Sequence, residues 1–367
     1  MSALTVAVDT GSLVGERTGV GQFTQRLLDG LATLEHPPAV LPYVLSMRAP
    51  LAPGTRRLPF PAAAAQAMWG RADHPRADRA LRGADVVHGP NYIVPPSALP
   101  TIVSVHDCWF LRNPDRSPPA VRRFGAVLRR AIARGAVVHV PSNHTRDEAE
   151  ELLGAERIEV LPLGAPPVRA PRIVPVPLPG LDGRRYILAV GAKEPRKNLP
   201  RLVEAFGLLA ADRPRLALVL LGPEGPDQPA IDAALDRLDH ATVARVLLVD
   251  YVDDELRDLV IANAAVLAFP SLDEGWGIPP LEAMSLGVPV VAARAGSLPE
   301  VCGDAAELVD PLDAAAIAAG LAAVLDDEAR RAQLADRGRR RVDELAGPRC
   351  AARFAELYRR LALGGSP

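Results

Sequence analysis

Val266-Leu-Ala-Phe269-Pro-Ser-Leu-Asp-Glu274-Gly-Trp-Gly-Ile-Pro-Pro-Leu-Glu282-Ala283 reads as a strand, a loop and a helix in succession. Its apolar start, without polar alternation, predicts a strand covered on both faces. Pro270 ends the strand, the glycines turn the loop, and a helix opens at Pro279 or Pro280. Backbone N–H groups at such a helix start, at the positive end of its dipole, suit a phosphate. Two carboxylates bracket the loop. Glu274 precedes the turn. Glu282 is expected in the first helical turn, where it can accept two hydrogen bonds from a diol such as a ribose. A charge pair on a solvated helix end uses the same residue types, so the segment is read with its surroundings.

The same alternation fills the chain on both sides. Strands are expected at Leu4–Val8, Asp85–His88, Thr101–His106, Val137–Val140 and Ile158–Leu161, then at Tyr186–Val190, Leu216–Leu221, Val246–Leu248 and Val288–Ala292. Helices are expected at Gly21–Leu34, Pro118–Ala133, Thr145–Leu153, Leu199–Ala211, Gln228–Asp239, Asp254–Asn263 and Pro279–Leu286. Buried strands separated by helices predict parallel α/β sheets, here two of them. Pro162–Gly183 carries seven prolines and reads as a linker. The domains expected are 1–165, a linker at 166–183, 184–346, and a C-terminal helix at 347–367 that crosses back to the first domain. In doubly wound sheets ligands bind beyond the carboxyl ends of the strands, so the chemistry is sought there.

The chain of 367 residues has ordinary globular composition, 49% hydrophobic and 23% charged, with a net charge of -2. Nothing in that balance points to nucleic acid. Cys108, Cys302 and Cys350 are scattered, without metal-ligand spacing. The N-terminus lacks a basic and then apolar leader, and no apolar run reaches membrane-spanning length, so a cytoplasmic location is expected. Only two lysines occur, Lys193 and Lys197. Both fall in Val190-Gly-Ala-Lys193-Glu-Pro-Arg196-Lys197-Asn198-Leu199, directly after a strand. Asn198 is placed to cap the following helix. Three cations converging on a helix N-terminus suit a diphosphate.

Two further loops follow strands of the first half. Arg17-Thr-Gly19-Val-Gly21-Gln-Phe-Thr24 is a Gly-x-Gly turn without the third glycine of the dinucleotide fingerprint. His106-Asp107 ends the strand at Thr101, where a hydrogen-bonded core histidine is the plain alternative. The helix around Val121–Arg134 carries five arginines among apolar residues. It reads as a sheet-covering helix with a solvated face, or as a surface for peripheral membrane contact. Asp-x-Asp, a spacing that can hold a divalent ion on a diphosphate, is missing from the chain.

The Glu274-x7-Glu282 spacing, with Ser285-Leu-Gly-Val-Pro-Val-Val-Ala-Ala-Arg-Ala-Gly296-Ser297-Leu298-Pro299-Glu300 after it, resembles family 4 of the retaining, nucleotide-sugar-dependent glycosyltransferases. The Gly191-to-Asn198 run is similar to a mannosyltransferase-rich branch of that family. The resemblance covers nearly the whole chain. It implies the GT-B fold: α/β, with two Rossmann-like doubly wound domains facing across a cleft, the first for the acceptor and the second for the nucleotide sugar.

By resemblance, Glu274 lies beside the transferred sugar, Glu282 on the ribose and Lys197 on the diphosphate. Arg196 or Lys193 supplies a second charge, because Ala192 stands where many members carry arginine. Gly275, Trp276, Gly277 and Ile278 line the sugar and diphosphate, and Leu281 and Ser297 complete the donor set. Gly19 and Gly21 cover the diphosphate, and His106 with Asp107 positions the donor sugar. The expected reaction transfers a hexose, mannose favoured, to a glycan, lipid-linked or small-molecule acceptor with retention. No cofactor and no metal are expected. A sugar-nucleotide epimerase of the same fold, or an inactive sugar-nucleotide-binding subunit, is the rival reading. A phosphorylase is disfavoured because it needs a pyridoxal-phosphate lysine, and both lysines lie in the phosphate turn.

Overall fold

A computed structural model describes residues 4–15 and 19–364. Its contacts divide the chain into one unit of Met1–Gly164 with Leu345–Pro367 and another of Ala165–Glu344. The first unit holds seven strands: β1 Thr5–Asp9, β2 Ala39–Leu45, β3 Arg56–Leu58, β4 Val86–Gly89, β5 Thr101–Ser104, β6 Val137–Val140 and β7 Ile158–Val160. They are all parallel, in the order β3-β2-β1-β4-β5-β6-β7. The second unit holds β8 Arg185–Val190, β9 Leu216–Leu221, β10 Val246–Val249, β11 Val266–Phe269, β12 Val290–Ala293 and β13 Ala306–Val309. These are parallel in the order β10-β9-β8-β11-β12-β13.

Both sheets reverse their winding beside their first strand, between β1 and β4 and between β8 and β11. Crevices at such reversals are the ligand sites of doubly wound folds. Three strands were not expected: β2, β3 and β13. They lie at or next to sheet edges, where Pro42, Arg56, Arg57 and Glu307 interrupt the apolar run and are tolerated. The expected helix Pro118–Ala133 divides into Pro119–Arg122 and Phe124–Ala133. Gln228–Asp239 stops at Leu235, and Asp239 instead caps a new turn, His240–Val243, by accepting from Thr242 N.

The helix Gly347–Ala362 belongs to the first unit and packs on the helix Gly19–Ala32. A Cβ on Gly30 would lie 2.7 Å from Ala351 Cβ and 3.2 Å from Gly347 O, so only glycine allows that approach. A fully buried polar chain fastens this helix to the sheet. The Tyr358 hydroxyl donates to His88 Nδ1 at 2.8 Å, and His88 Nε2 donates to Ser104 Oγ at 2.9 Å. Ser104 donates to His139 Nδ1 at 2.8 Å, and His139 Nε2 donates to the Leu161 carbonyl at 2.8 Å. The carbonyl can only accept, so it fixes every donor direction back to Tyr358.

That order requires both imidazoles to be neutral. Burial pushes His88 well below its ordinary value and His139 down to about 3. A histidine depressed by folding binds more protons when unfolded. Its contribution is therefore complete above the unfolded value of 6.5 and is lost as pH falls below it towards the folded value. At pH 5.5 the two histidines together cost about 3 kcal/mol. Calorimetric scans at pH 7.5 and 5.5 should show the first unit melting earlier at the lower pH. Superimposable scans would contradict the neutral chain.

Candidate functional site

In the second unit the reversal between β8 and β11 brings together the loops after those two strands. Gly191 opens the first at φ 142, and Pro195–Lys197 make one tight turn before the helix Leu199–Ala210. Asn198 takes a left-handed backbone (φ 57) and its side chain does not cap that helix. Its amide instead donates to Pro270 O at 3.0 Å and Pro311 O at 2.7 Å, fastening this loop to the ends of β11 and β13. The expected capping role is corrected to a stitching one.

Lys197 turns inward, 9% exposed, rather than standing out from the helix start. Its Nζ lies 2.6 Å from Glu274 Oε1 and 4.7 Å from the centre of the Phe269 ring. Arg196 lies 2.8 Å from Glu274 Oε2 and 2.9 Å from Glu194. Glu274 is 7% exposed and thus holds both cations. Burial alone would raise its carboxyl, but Arg196 and then Lys197 outweigh it and hold the group below the ordinary value. Burial and the neighbouring Arg196 hold the Lys197 ammonium below the usual lysine range. Lys193 is buried too, donating to Gly222 O at 2.9 Å, so of the two lysines it is the structural one.

The loop after β12 clamps the Glu274 backbone: Ser297 N donates to Glu274 O at 2.9 Å. Gly296, at φ 56, makes this possible, since a Cβ there would stand 2.7 Å from Glu274 N. Gly277, at φ 98, precedes the helix Ile278–Ser285. Pro279 and Pro280 occupy its first turn and carry no N–H, so the amides able to meet an anion narrow to Gly275–Ile278. Trp276 Nε1 and Ser297 Oγ are buried with no hydrogen-bond partner among the described residues.

Leu281 is fully buried in the same helix. Glu282 is 4% exposed and stands in the second turn, not the first. Arg257, on the helix Asp254–Ala262, forms an ion pair with it. Nothing in the sequence singled out Arg257, one arginine on an ordinary amphipathic helix.

In the first unit His106 lies just beyond β5. Its Nε2 donates to Pro90 O at 2.7 Å, and its ring packs edge-on to Phe23 and Tyr92 at 5.3 and 5.5 Å. Burial lowers it to about 4, so the ring is neutral near pH 7. Asp107 Oδ1 accepts from Trp109 N at 3.2 Å, opening the helix Trp109–Arg112. Gly19 and Gly21 form the first turn of their helix, and the preceding Arg17-Thr18 lies outside the described residues. Arg130 and Arg134 pair with Asp73, and Arg129 donates to Leu152 O. Three of the five arginines expected on one face are thus engaged within the unit, while Arg122 and Arg123 stay exposed.

A model of "Glycosyl transferases group 1" matches residues 178–341, and one of "Glycosyltransferase Family 4" matches residues 17–169. The O-antigen chain mannosyltransferase B of Escherichia coli is 32% identical over 300 residues, 78% of this chain and 78% of that protein. The chain belongs to the group 1 glycosyltransferases. The MMP alpha-(1->4)-mannosyltransferase of Mycolicibacterium hassiacum is 33% identical to this glycosyltransferase over 238 residues, 62% of this chain and 55% of the relative. Sucrose-phosphate synthase from Thermosynechococcus elongatus shares its fold, with a TM-score of 0.76 at 20% identity, covering 99% of this chain and 100% of that one. The two parallel-sheet units are those of the GT-B fold. Within this glycosyltransferase, the first model covers the Lys197–Glu274–Arg196 cluster and Glu282, while the second covers His106 and the Gly19–Gly21 turn.

Proposed function

We propose that this glycosyltransferase moves mannose from GDP-mannose to a glycan acceptor with retention of configuration and without a metal ion. The Lys197–Glu274–Arg196 cluster at the reversal of the second sheet carries the reading, and the mannosyltransferase relatives favour the sugar. Departure of the nucleoside diphosphate builds negative charge on its phosphate oxygens. Lys197, Arg196 and the amides of Gly275–Ile278 are the groups to stabilise it, and they need no reorganisation during the reaction. In the donor-free protein Glu274 neutralises both cations, so the incoming diphosphate must share them. Glu274 is then left beside the sugar, where positive charge develops. Glu274, held between Arg196 and Lys197, is read as an electrostatic partner of the sugar and not as a nucleophile for double displacement. Front-side attack, with the leaving phosphate taking the acceptor proton, accounts for retention.

Glu282 holds the ribose hydroxyls, and its ion pair with Arg257 keeps the carboxylate in place. Neutral His106, whose Nε2–H goes to Pro90 O, is left to accept at Nδ1 from a sugar hydroxyl and brings no charge. The acceptor is a glycan, lipid-linked or free, bound by the first unit. Arg122 and Arg123 are the cations that its Arg-bearing helix leaves available to an anionic membrane surface. No described helix is long and apolar enough to cross a membrane.

A thermal-shift screen of nucleotide sugars tests the donor. GDP-mannose at 100 times its dissociation constant should add about 2.7 kcal/mol of stability, and a larger shift with another nucleotide sugar would reassign it. Transfer should continue in EDTA, because two side-chain cations already face the diphosphate position. Activity lost in chelator and restored by magnesium or manganese would overturn that part.

A further inference from the structure

The turn after β4 packs on His106 and Asp107, and one of its residues sits in a backbone that its type avoids. Gly89 ends β4 beside the reversal of the first sheet. A Cβ there would stand 1.8 Å from Ile93 O, so the chain folds tightly back over Gly89. Within that turn Tyr92 is left-handed, with φ 56. Besides glycines, only Asp182 and Asn198 share such a backbone among the described residues, and aspartate and asparagine are the types that take it most readily. A tyrosine does not, and strain of this kind persists only where the surroundings over-determine it.

The surroundings of Tyr92 do so in three ways. Its N–H donates to Ser104 O at 3.0 Å, at the end of β5. Its ring stacks on Phe124 at 5.4 Å and meets Phe110 and His106 edge-on at 5.6 and 5.5 Å. Its hydroxyl accepts from Asp107 N at 3.1 Å. The same turn supplies Pro90 O to His106 Nε2 at 2.7 Å. A neutral imidazole that donates at Nε2 accepts at Nδ1, so this carbonyl fixes the tautomer. Glycine or asparagine would relieve the backbone at position 92, and phenylalanine would supply the ring contacts. The hydroxyl is what tyrosine adds to both, and it closes on the peptide that joins His106 to Asp107.

We propose that Tyr92 is a positioning residue for sugar transfer: it holds the turn and the His106–Asp107 peptide so that His106 meets the transferred sugar in one tautomer and one orientation. The inference rests on the proposed function, in which His106 Nδ1 accepts from a hydroxyl of that sugar. It adds the residue that keeps Nδ1 in place. The diphosphate and ribose are held by the second unit, so a displaced His106 slows the transfer step more than it loosens the donor.

Tyr92→Phe and Tyr92→Asn separate this from a structural role. Tyr92→Phe removes the hydroxyl and keeps the ring. In the full-length protein, with GDP-mannose as donor and methyl α-D-mannopyranoside as acceptor, its kcat should fall about tenfold while the donor KM stays within about twofold. Tyr92→Asn suits the left-handed backbone but removes ring and hydroxyl together, and its kcat should fall about 100-fold. Nitrogen-15 NMR of the histidine rings gives a second readout that is independent of turnover. In the wild type at pH 7.5 His106 should show one neutral tautomer, protonated at Nε2, and in Tyr92→Asn a mixture of the two. A Tyr92→Phe enzyme with unchanged kcat, even with a lowered melting temperature, would overturn the proposal and leave Tyr92 a packing residue. His106 signals in Tyr92→Asn identical to those of the wild type would overturn it too. If Tyr92→Asn does not fold, the kcat and donor KM of Tyr92→Phe decide alone. Failure of the donor reading looks different: the wild type then does not turn over GDP-mannose, while the His106 signals still tell whether Tyr92 holds the ring.

Discussion

Lys197→Ala should slow transfer by about 10²–10³ and also loosen the second unit. Its ammonium is assigned to the leaving diphosphate, and deleting one such preorganised donor typically costs about 2.7–4 kcal/mol of transition-state stabilisation. The stability effect comes from the structure. Lys197 is buried against Glu274, which still has Arg196 beside it when the lysine is gone. Breaking a buried pair costs about 3–5 kcal/mol, and the surviving cation places this variant at the lower end. Initial rates and a thermal melt on the same preparation check both parts. Rates within twofold of wild type would remove Lys197 from the diphosphate. An unchanged melt with slowed transfer would mean that its pairing with Glu274 contributes nothing to the fold.

The two glutamates should fail in different ways. Glu274→Gln keeps the shape and removes the charge beside the sugar, so kcat should fall by about 10²–10³. Donor affinity should hold or tighten, because Arg196 and Lys197 no longer share a carboxylate with the diphosphate. Glu282→Gln weakens a contact made equally in the ground and transition states, so it should mainly raise the donor KM. Charge-assisted hydrogen bonds of about 1.5–3 kcal/mol make that rise roughly 10–100-fold. Steady-state kinetics at saturating acceptor, with calorimetric donor binding, separate the cases. A Glu274→Gln enzyme with intact kcat beside an inert Glu282→Gln enzyme would mean that the roles are reversed.

What could be read in advance follows the physics of each element. The central strands of both sheets are continuous apolar runs, and their positions were legible from hydrophobicity alone. β2, β3 and β13 were not, because Pro42, Arg56 and Glu307 break their apolar runs and are allowed at or next to a sheet edge. The Lys197 and Glu274 positions stood out through residue type and spacing, but their mutual ion pair did not. The pair joins loops 77 residues apart that meet only because β8 and β11 are neighbours. The same holds for Asn198, whose type suggests a cap while the β11 and β13 loop carbonyls claim its amide. Arg257 and the Tyr358–His88–Ser104–His139 chain carried no local signal. Their partners lie on other elements, and one arginine on a helix or one histidine in a strand is ordinary until the fold places something beside it.

The central claim is that Lys197, Arg196 and Glu274 form the seat of a nucleotide-sugar diphosphate. Calorimetric titration of GDP-mannose into wild-type protein and into Lys197→Ala, both in EDTA, addresses it most directly. The account predicts saturable one-to-one binding to the wild type without added metal, and binding at least about tenfold weaker in the variant. Equal affinity for the two proteins, or wild-type binding that appears only when magnesium or manganese is supplied, would contradict it.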